Sequence, residues 1–259
     1  MLTKNDFQII EQQELAHDIY RVILHGEFNY AGVKPGCFVM LKLPDEAYQL
    51  RRPLAIAACD SVQKTITLIY RIVGDGMRLL SKLAVGTIVN ILGPLGNGFS
   101  LENVDVGTEV LLVGGGTGLP PLMMLAQVLK EKGCRVSTAV GFRTASMIFG
   151  ETEFERSGQL LLATDDGSRG FKGNVGELLA SQTTVSKYTN VYACGPEGLL
   201  KMVQTRFVPT ETAIYLSLEG RMACGVGACE ACVVSTGEGT FNKCVCVEGP
   251  VFNGREVIL

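Results

Sequence analysis

The stretch "RMACGVGACEACVV", residues 221–234, sets Cys224, Cys229 and Cys232 in C-x4-C-x2-C spacing. With a distant fourth cysteine this is the plant-type pattern for a [2Fe–2S] cluster, and thiolates are the soft ligands that iron–sulfur chemistry takes. Gly225, Gly227 and Ala228 lie between them. Small residues let the backbone approach closely, so N–H groups can point at negatively charged sulfurs. Two other readings exist: a tetrahedral zinc site and incidental buried cysteines. Structural zinc usually pairs two short cysteine knuckles, and one tight cluster stands here. "NKCVCVEGP" offers Cys244 and Cys246 as the fourth position. On a strand both would face one side, so geometry does not choose between them.

A second chemistry sits near the middle. Gly114, Gly115, Gly116, Thr117 and Gly118 follow the apolar run "EVLLV" and precede a helical stretch. Such a turn lets a pyrophosphate rest on backbone N–H groups at a helix start. The spacing is not G-x-G-x-x-G, and tight packing alone also explains a glycine turn. "ATDDGSRG", with Asp166, and "YACGPEG", with Cys194, Gly195 and Pro196, each end a later strand. In an open α/β sheet those ends face the ligand, so three loops together point to a dinucleotide site. Adjacent Asp165 and Asp166 do not easily share one proton as an acid–base pair. His17 and His25 read as surface or strand residues, and no serine–histidine–acid set is plausible.

The elements that position these groups fall into three segments, predicting an α+β multidomain chain. Residues 1–102 carry short β-rich runs, among them "IYRVILHG", "GCFVMLKLP", "KTITLIYRIV" and "GTIVNILGPLG". Ile66, Leu68, Tyr70 and Ile72 alternate with Thr67, Ile69 and Arg71, as in a strand with one buried face. This segment predicts a small antiparallel β-barrel. Residues 103–210 alternate strand and helix, predicting a parallel α/β sheet. Residues 211–259 are cysteine-rich and turn-rich and read as a small module.

The chain of 259 residues has a net charge of −3, which argues against a nucleic-acid or anionic-membrane surface. The uncharged run from Val110 to Val128 is broken by glycines and Pro120-Pro121, so strand, loop and helix fit it better than a membrane span. The N-terminus lacks a long apolar signal core, and nine cysteines suit a reducing compartment, so a cytoplasmic protein is expected.

Over nearly its whole length the sequence resembles the electron-transfer subunit of type B dihydroorotate dehydrogenase, of the ferredoxin–NADP reductase superfamily. The resemblance is carried, in order, by "LRRPLAIA", "LIYRIVGDGM", "GPLGNGF", "LLVGGGTGLPPL", "TDDGSRGFKGNVGELL", "CGPEGLLK", "RMACGVGACEACVV" and "CVEGPVF". It implies FAD on the barrel. Arg52 would pair with the pyrophosphate, and Pro53, Leu54 and Ala55 would run along the isoalloxazine. Ile69, Tyr70 and Arg71 would form a second flavin contact, and Gly76 and Met77 a phosphate contact. Ala55 stands where the family has serine, and Met77 where it has threonine, so two hydroxyl contacts are missing. Taken without the resemblance, Arg51 and Arg52 read as a solvated charged pair. The resemblance makes Cys246 the fourth cluster ligand and places nicotinamide by Cys194. Cys37, Cys59 and Cys134 read as small buried hydrophobes.

The implied function is electron relay with NAD reduction. Electrons from dihydroorotate would reach FMN on a separate catalytic subunit, pass through the cluster to FAD, and leave as hydride to NAD+. Two copies of each chain would form the complex, and no residue need act as a strong acid or base. One alternative keeps the chemistry and changes the partner: the small subunit of an NADH-dependent ferredoxin–NADP oxidoreductase or a sulfide dehydrogenase. The other is a zinc-containing interaction module without flavin.

Overall fold

A computed structural model describes residues 3–182, 187–237 and 242–259. The first part is a closed antiparallel barrel of β1 (Thr3–Ala16), β2 (Ile19–His25), β3 (Phe38–Lys42), β4 (Arg52–Asp60), β5 (Thr65–Arg71) and β6 (Ile88–Leu95), in the order β1-β2-β5-β4-β3-β6. Alternate residues fill the interior, with Phe7, Ile9, Val22, Leu24, Val39, Leu41, Ile66 and Leu68 all fully buried. The alternation predicted for β5 holds for Ile66, Leu68 and Tyr70. Ile69, on the outward face, is buried as well, because it joins the core beneath the neighbouring sheet. A short helix, α1 (Gly74–Leu80), caps the barrel after β5.

The second part is built on β7 (Glu109–Gly115), β8 (Arg135–Phe142), β9 (Gly158–Thr164), β10 (Phe171–Lys172), β11 (Asn190–Cys194) and β12 (Ala213–Ser217), all parallel. Residues 110–115 of β7 are buried without a break, as a strand covered on both faces requires. It is followed by α2 (Leu119–Glu131), whose Leu119, Leu122, Leu125, Ala126 and Leu129 form one buried face. Pro120 and Pro121 sit in the first helical turn, where the missing N–H costs nothing. The sheet is completed by α3 (Glu151–Ser157), α4 (Val175–Gln182) and α5 (Glu197–Phe207). Its order, β10-β9-β8-β7-β11-β12 and then the edge strand β15 (Val251–Asn253), reverses at β7, which lies between β8 and β11. Ligands bind at such a switch point, outside the strands' C-terminal ends.

The C-terminal part crosses the boundary expected at residue 210. β12 and the edge strand β15 (Val251–Asn253), which is antiparallel, belong to the nucleotide sheet. What stands apart is the loop from Glu219 to Ala231 with a two-stranded ladder of β13 (Val233–Ser235) and β14 (Asn242–Cys244). The cysteine segment leaves the sheet after β12 and returns to it at β15, so backbone hydrogen bonds fix both its ends.

Candidate functional site

Two clefts open where barrel and sheet meet, and they share Arg71 and Thr117. The first, about 340 Å³, is walled by Arg52, Pro53, Leu54 and Ala55 from β4, by Ile69, Tyr70 and Arg71 from β5, and by Met77 from α1. Across from them stand Thr117, Cys194 and the run Ser217–Gly220. Every residue to which the resemblance gave a flavin contact lies on this wall except Gly76. Gly76 stands behind Arg52: a Cβ there would come 2.8 Å from Arg52 Nη2. Arg51 does not share the cleft. Its guanidinium donates to Met40 O at 2.9 Å and to Asn90 Oδ1 at 2.6 Å, so it ties barrel strands together. Arg52 is held by Leu50 O at 2.6 Å and lies 5.7 Å from the Tyr48 ring. Of the two arginines, only Arg52 has its fork at the cleft.

The wall fits a polar aromatic ligand. Most of the lining is apolar, while Tyr70 Oη and Arg71 Nε are buried without a hydrogen-bond partner among the described residues. Buried polar atoms left in this state are costly, and a bound ligand would satisfy them. Glu219 is the one carboxyl on the wall among the described residues, and burial raises its pKa above the usual carboxylate value. The sequence reading passed over it. Its position directly before the cysteine loop was the available signal. Cys194, which ends β11, is buried, and that burial pushes its thiol up to about 12, so it is neutral.

The second cleft, about 600 Å³, lies over the C-terminal ends of β7, β8 and β9. Gly115, Gly116, Thr117 and Pro196 line it. Gly114, Gly118 and Gly195 do not. Gly118 lets α2 begin against β11, since a Cβ there would lie 2.3 Å from Cys194 O. The aspartate reading needs correction. Asp165 lines the cleft, whereas Asp166 is turned into its own loop, accepting from Ser168 N at 3.0 Å and Ser168 Oγ at 2.6 Å. These bonds hold its carboxyl below the usual range. Arg143 and Asn174 also line the cleft. Asn174 starts α4 in a reciprocal cap: Glu177 N donates to its Oδ1 at 3.1 Å, and its own N–H donates to Glu177 Oε2 at 2.8 Å.

The cysteine loop begins at the wall of the first cleft, to which Glu219, Gly220 and Met222 contribute. Gly225 and Gly227 both have left-handed φ, +74° and +80°. A Cβ on Gly225 would lie 2.7 Å from Met40 Cγ of the barrel, and one on Gly227 would lie 2.9 Å from Val247. Glycine is what lets the loop fold this tightly against both neighbours. Its N–H groups then reach sulfur: Val226 donates to Cys224 at 3.4 Å and Gly227 to Cys246 at 3.2 Å. The Val226 bond is the largest influence holding the Cys224 thiol down, to about 6.

The thiols differ in depth: Cys229 is exposed and Cys224 partly so, whereas Cys232 and Cys246 are buried. No three His, Cys, Asp or Glu side chains among the described residues converge as the ligands of one ion. Four cysteines in one segment, with backbone N–H donors on Cys224 and Cys246, suit a two-iron cluster, which takes two thiolates per iron, better than a single zinc. Cys244 and Cys246 do not share a strand face, because β14 ends at Cys244 and a turn follows. Of the other cysteines, Cys37 is buried, while Cys59 and Cys134 are only partly so.

A six-stranded antiparallel barrel against a parallel sheet, with clefts meeting at the switch point, defines a reductase of the ferredoxin–NADP reductase type. A chain of an NADH-dependent reduced ferredoxin–NADP oxidoreductase superposes with a TM-score of 0.86 at 31% identity, over 97% of this chain and 89% of that one. The family model for the iron–sulfur cluster binding domain of dihydroorotate dehydrogenase B matches residues 219–258. The electron transfer subunit of dihydroorotate dehydrogenase B (NAD(+)) from Streptococcus pneumoniae is 42% identical over the full length of both chains. The corresponding subunit from Enterococcus faecalis is 44% identical over 97% of each. The chain belongs to the family of dihydroorotate dehydrogenase B electron transfer subunits. No helix among the described residues is long and apolar enough to cross a membrane.

Proposed function

We propose that the chain relays electrons from a dihydroorotate-oxidising subunit to NAD+, with FAD in the 340 Å³ cleft and a [2Fe–2S] cluster on Cys224, Cys229, Cys232 and Cys246. In this reading the barrel holds the flavin, the sheet that includes β12 and β15 the nicotinamide nucleotide, and the cysteine segment between β12 and β15 the cluster. The observation that carries it is continuity. The flavin and nicotinamide clefts meet at Arg71 and Thr117, and the flavin wall runs through Glu219 into the cysteine loop. Bound flavin supplies the exchange between one-electron and two-electron chemistry.

The chain's own residues do the placing. Arg52 presents its fork for a pyrophosphate, and Gly76 gives it room. Pro53, Leu54 and the Ala55 backbone form a flat wall, and Tyr70 and Arg71 offer their unpartnered donors. The Gly115–Thr117 turn takes the nicotinamide nucleotide's phosphates, Asp165 its sugar, and Pro196 with the neutral Cys194 bounds the ring end. Were FAD bound in the first cleft, its exchange between one-electron and two-electron chemistry would call for a proton donor on this wall. Glu219 stands on that wall with its carboxyl pKa raised by partial desolvation, which favours its protonated form.

The partner is an FMN-containing catalytic subunit, in a complex with two copies of each chain. Val226, Val233 and Val247, all more than 40% exposed, rim the cluster loop and form the apolar face that would meet it. The greater identity to dihydroorotate dehydrogenase B subunits, 42–44%, than to the ferredoxin–NADP oxidoreductase chain, 31%, supports this partner over the alternative. Nine free thiols accord with the cytoplasm. Flavin and metal analysis of the purified chain tests the reading: about one FAD, two irons and two acid-labile sulfides per chain are expected. Stoichiometric zinc without sulfide overturns it.

A further inference from the structure

The arginine fork at the first cleft is held from three sides. Arg52 Nη1 donates to Leu50 O at 2.6 Å. Its Nη2 and Nε edge faces Gly76, where an added Cβ would lie 2.8 Å from Nη2 and 3.3 Å from Nε. The third side is Tyr48, whose ring centroid lies 5.7 Å from the guanidinium carbon. That is within the roughly 6 Å over which an aromatic face attracts a cation. Arg52 makes no ion pair among the described residues, so its charge is held in place without being neutralised.

Tyr48 is built into this position. Between Pro44 and Leu50, in the loop from β3 to β4, it is the one residue that is not exposed. It packs against the barrel core. Two bonds at Asp45 close the loop into a turn beneath it: Ala47 N donates to Asp45 Oδ1 at 2.9 Å, and Tyr48 N donates to Asp45 O at 3.1 Å. A surface arginine without such neighbours would sample many rotamers. Here the ring and the Leu50 carbonyl hold the guanidinium, and the missing Cβ of Gly76 leaves one edge of the fork open.

Resting on the FAD reading above, we propose that Tyr48 is a positioning residue for the flavin site: its ring holds the Arg52 guanidinium so that a pyrophosphate meets a preformed fork. Tyr48 acts through Arg52 and is not itself among the residues that wall the first cleft. A guanidinium binds phosphate oxygens best when two parallel N–H groups are presented together. An arginine that is not held must be ordered as the ligand binds, and that cost lowers affinity.

FAD binding to the full chain after flavin removal tests this, read from the change in FAD fluorescence on titration. Tyr48→Leu keeps apolar bulk against the core and removes the ring face. It is expected to weaken FAD binding by about fivefold, within the cost of ordering one long side chain on binding. Tyr48→Phe keeps the face and should stay within about twofold of the wild type. In an Arg52→Gln background, Tyr48→Leu should have no further effect, because residues that act as one unit are not additive. A similar loss that persists in that background would mean that Tyr48 meets FAD directly or only supports the fold, and it overturns the proposal. Unchanged affinity in Tyr48→Leu or in Arg52→Gln overturns it as well. Should Tyr48→Leu not fold, Tyr48→Phe decides, since a loss beyond about twofold there is incompatible with a role for the ring face. A wild-type chain that binds no FAD defeats the flavin reading itself, a result distinct from all of these.

Discussion

Asn97, in the loop after the last barrel strand, and Val251, five residues beyond Cys246, are joined in both directions. Asn97 Nδ2 donates to Val251 O at 3.0 Å, and Val251 N donates to Asn97 Oδ1 at 3.4 Å. The same Nδ2 donates to Glu248 O at 2.7 Å, and the Asn97 backbone N–H donates to Gly249 O at 2.8 Å. One side chain thus clamps the turn that carries Cys246 against the flavin barrel. Asn97→Ala is expected to cost about 1–3 kcal/mol of stability, from lost bonds and orphaned backbone groups. It should also slow electron transfer between cluster and flavin at unchanged iron content. Stopped-flow reduction of the holoprotein by NADH, read at flavin and cluster wavelengths, checks this. Unchanged cluster reduction would show that the clamp does not set their separation.

Cys246, and not Cys244, is the fourth ligand in this account. Cys246→Ser should lose most of the visible cluster absorbance and iron while FAD stays bound, because Cys246 is not among the residues that wall the first cleft. Absorbance spectra and iron analysis decide it. A Cys246→Ser protein with full iron content would contradict the assignment.

Glu219→Gln removes the one carboxyl from the described flavin wall. Dihydroorotate-dependent NAD+ reduction by the assembled complex should fall by roughly 10²-fold, the usual contribution of a positioned acid, with the KM for NAD+ unchanged. The sign for stability also follows. A carboxyl whose folded pKa is raised above 4.5 contributes fully below that value, and its contribution is lost as pH rises through the raised one. The flavin-free wild type should therefore lose stability relative to Glu219→Gln as pH climbs above 4.5. Parallel melting curves against pH for the two proteins would refute this.

Much of the site was readable from residue spacing, because its chemistry is local. The cysteine pattern, the glycine turn after β7 and the β4 and β5 motifs each place several ligating groups within a few residues. What the sequence hid is long-range or depends on a single turn. The return of β15 to the nucleotide sheet cannot be seen in its three residues; it is set by pairing with β12. Asp165 and Asp166 are equivalent as letters, and only the Ser168 bonds show which one is occupied within its own loop. Glu219 reads as an ordinary charge until it is seen on the wall of the first cleft. Arg51 and Arg52 separate only when the Asn90 carboxamide is seen holding the first.

NADH should be preferred to NADPH. At the nucleotide cleft Arg143 is accompanied by the Asp165 carboxylate, so a 2′-phosphate dianion meets one cation and one anion. The kcat/KM ratio in dye reduction is expected to favour NADH by at least about tenfold, equivalent to roughly 1.4 kcal/mol. Asp165→Asn should narrow it. A ratio favouring NADPH in the wild type would contradict the assignment.

The central claim is that this chain carries electrons between a dihydroorotate-oxidising partner and NAD+. The most direct measurement is dihydroorotate-dependent NADH formation by the purified chain alone, by the FMN-containing catalytic subunit alone, and by the two combined. The account predicts that the chain alone oxidises NADH with artificial acceptors and forms no NADH from dihydroorotate. The combination should form NADH, and Cys246→Ser should abolish that. NADH formation from dihydroorotate by the isolated chain, or none by the combination of fully loaded subunits, would contradict it.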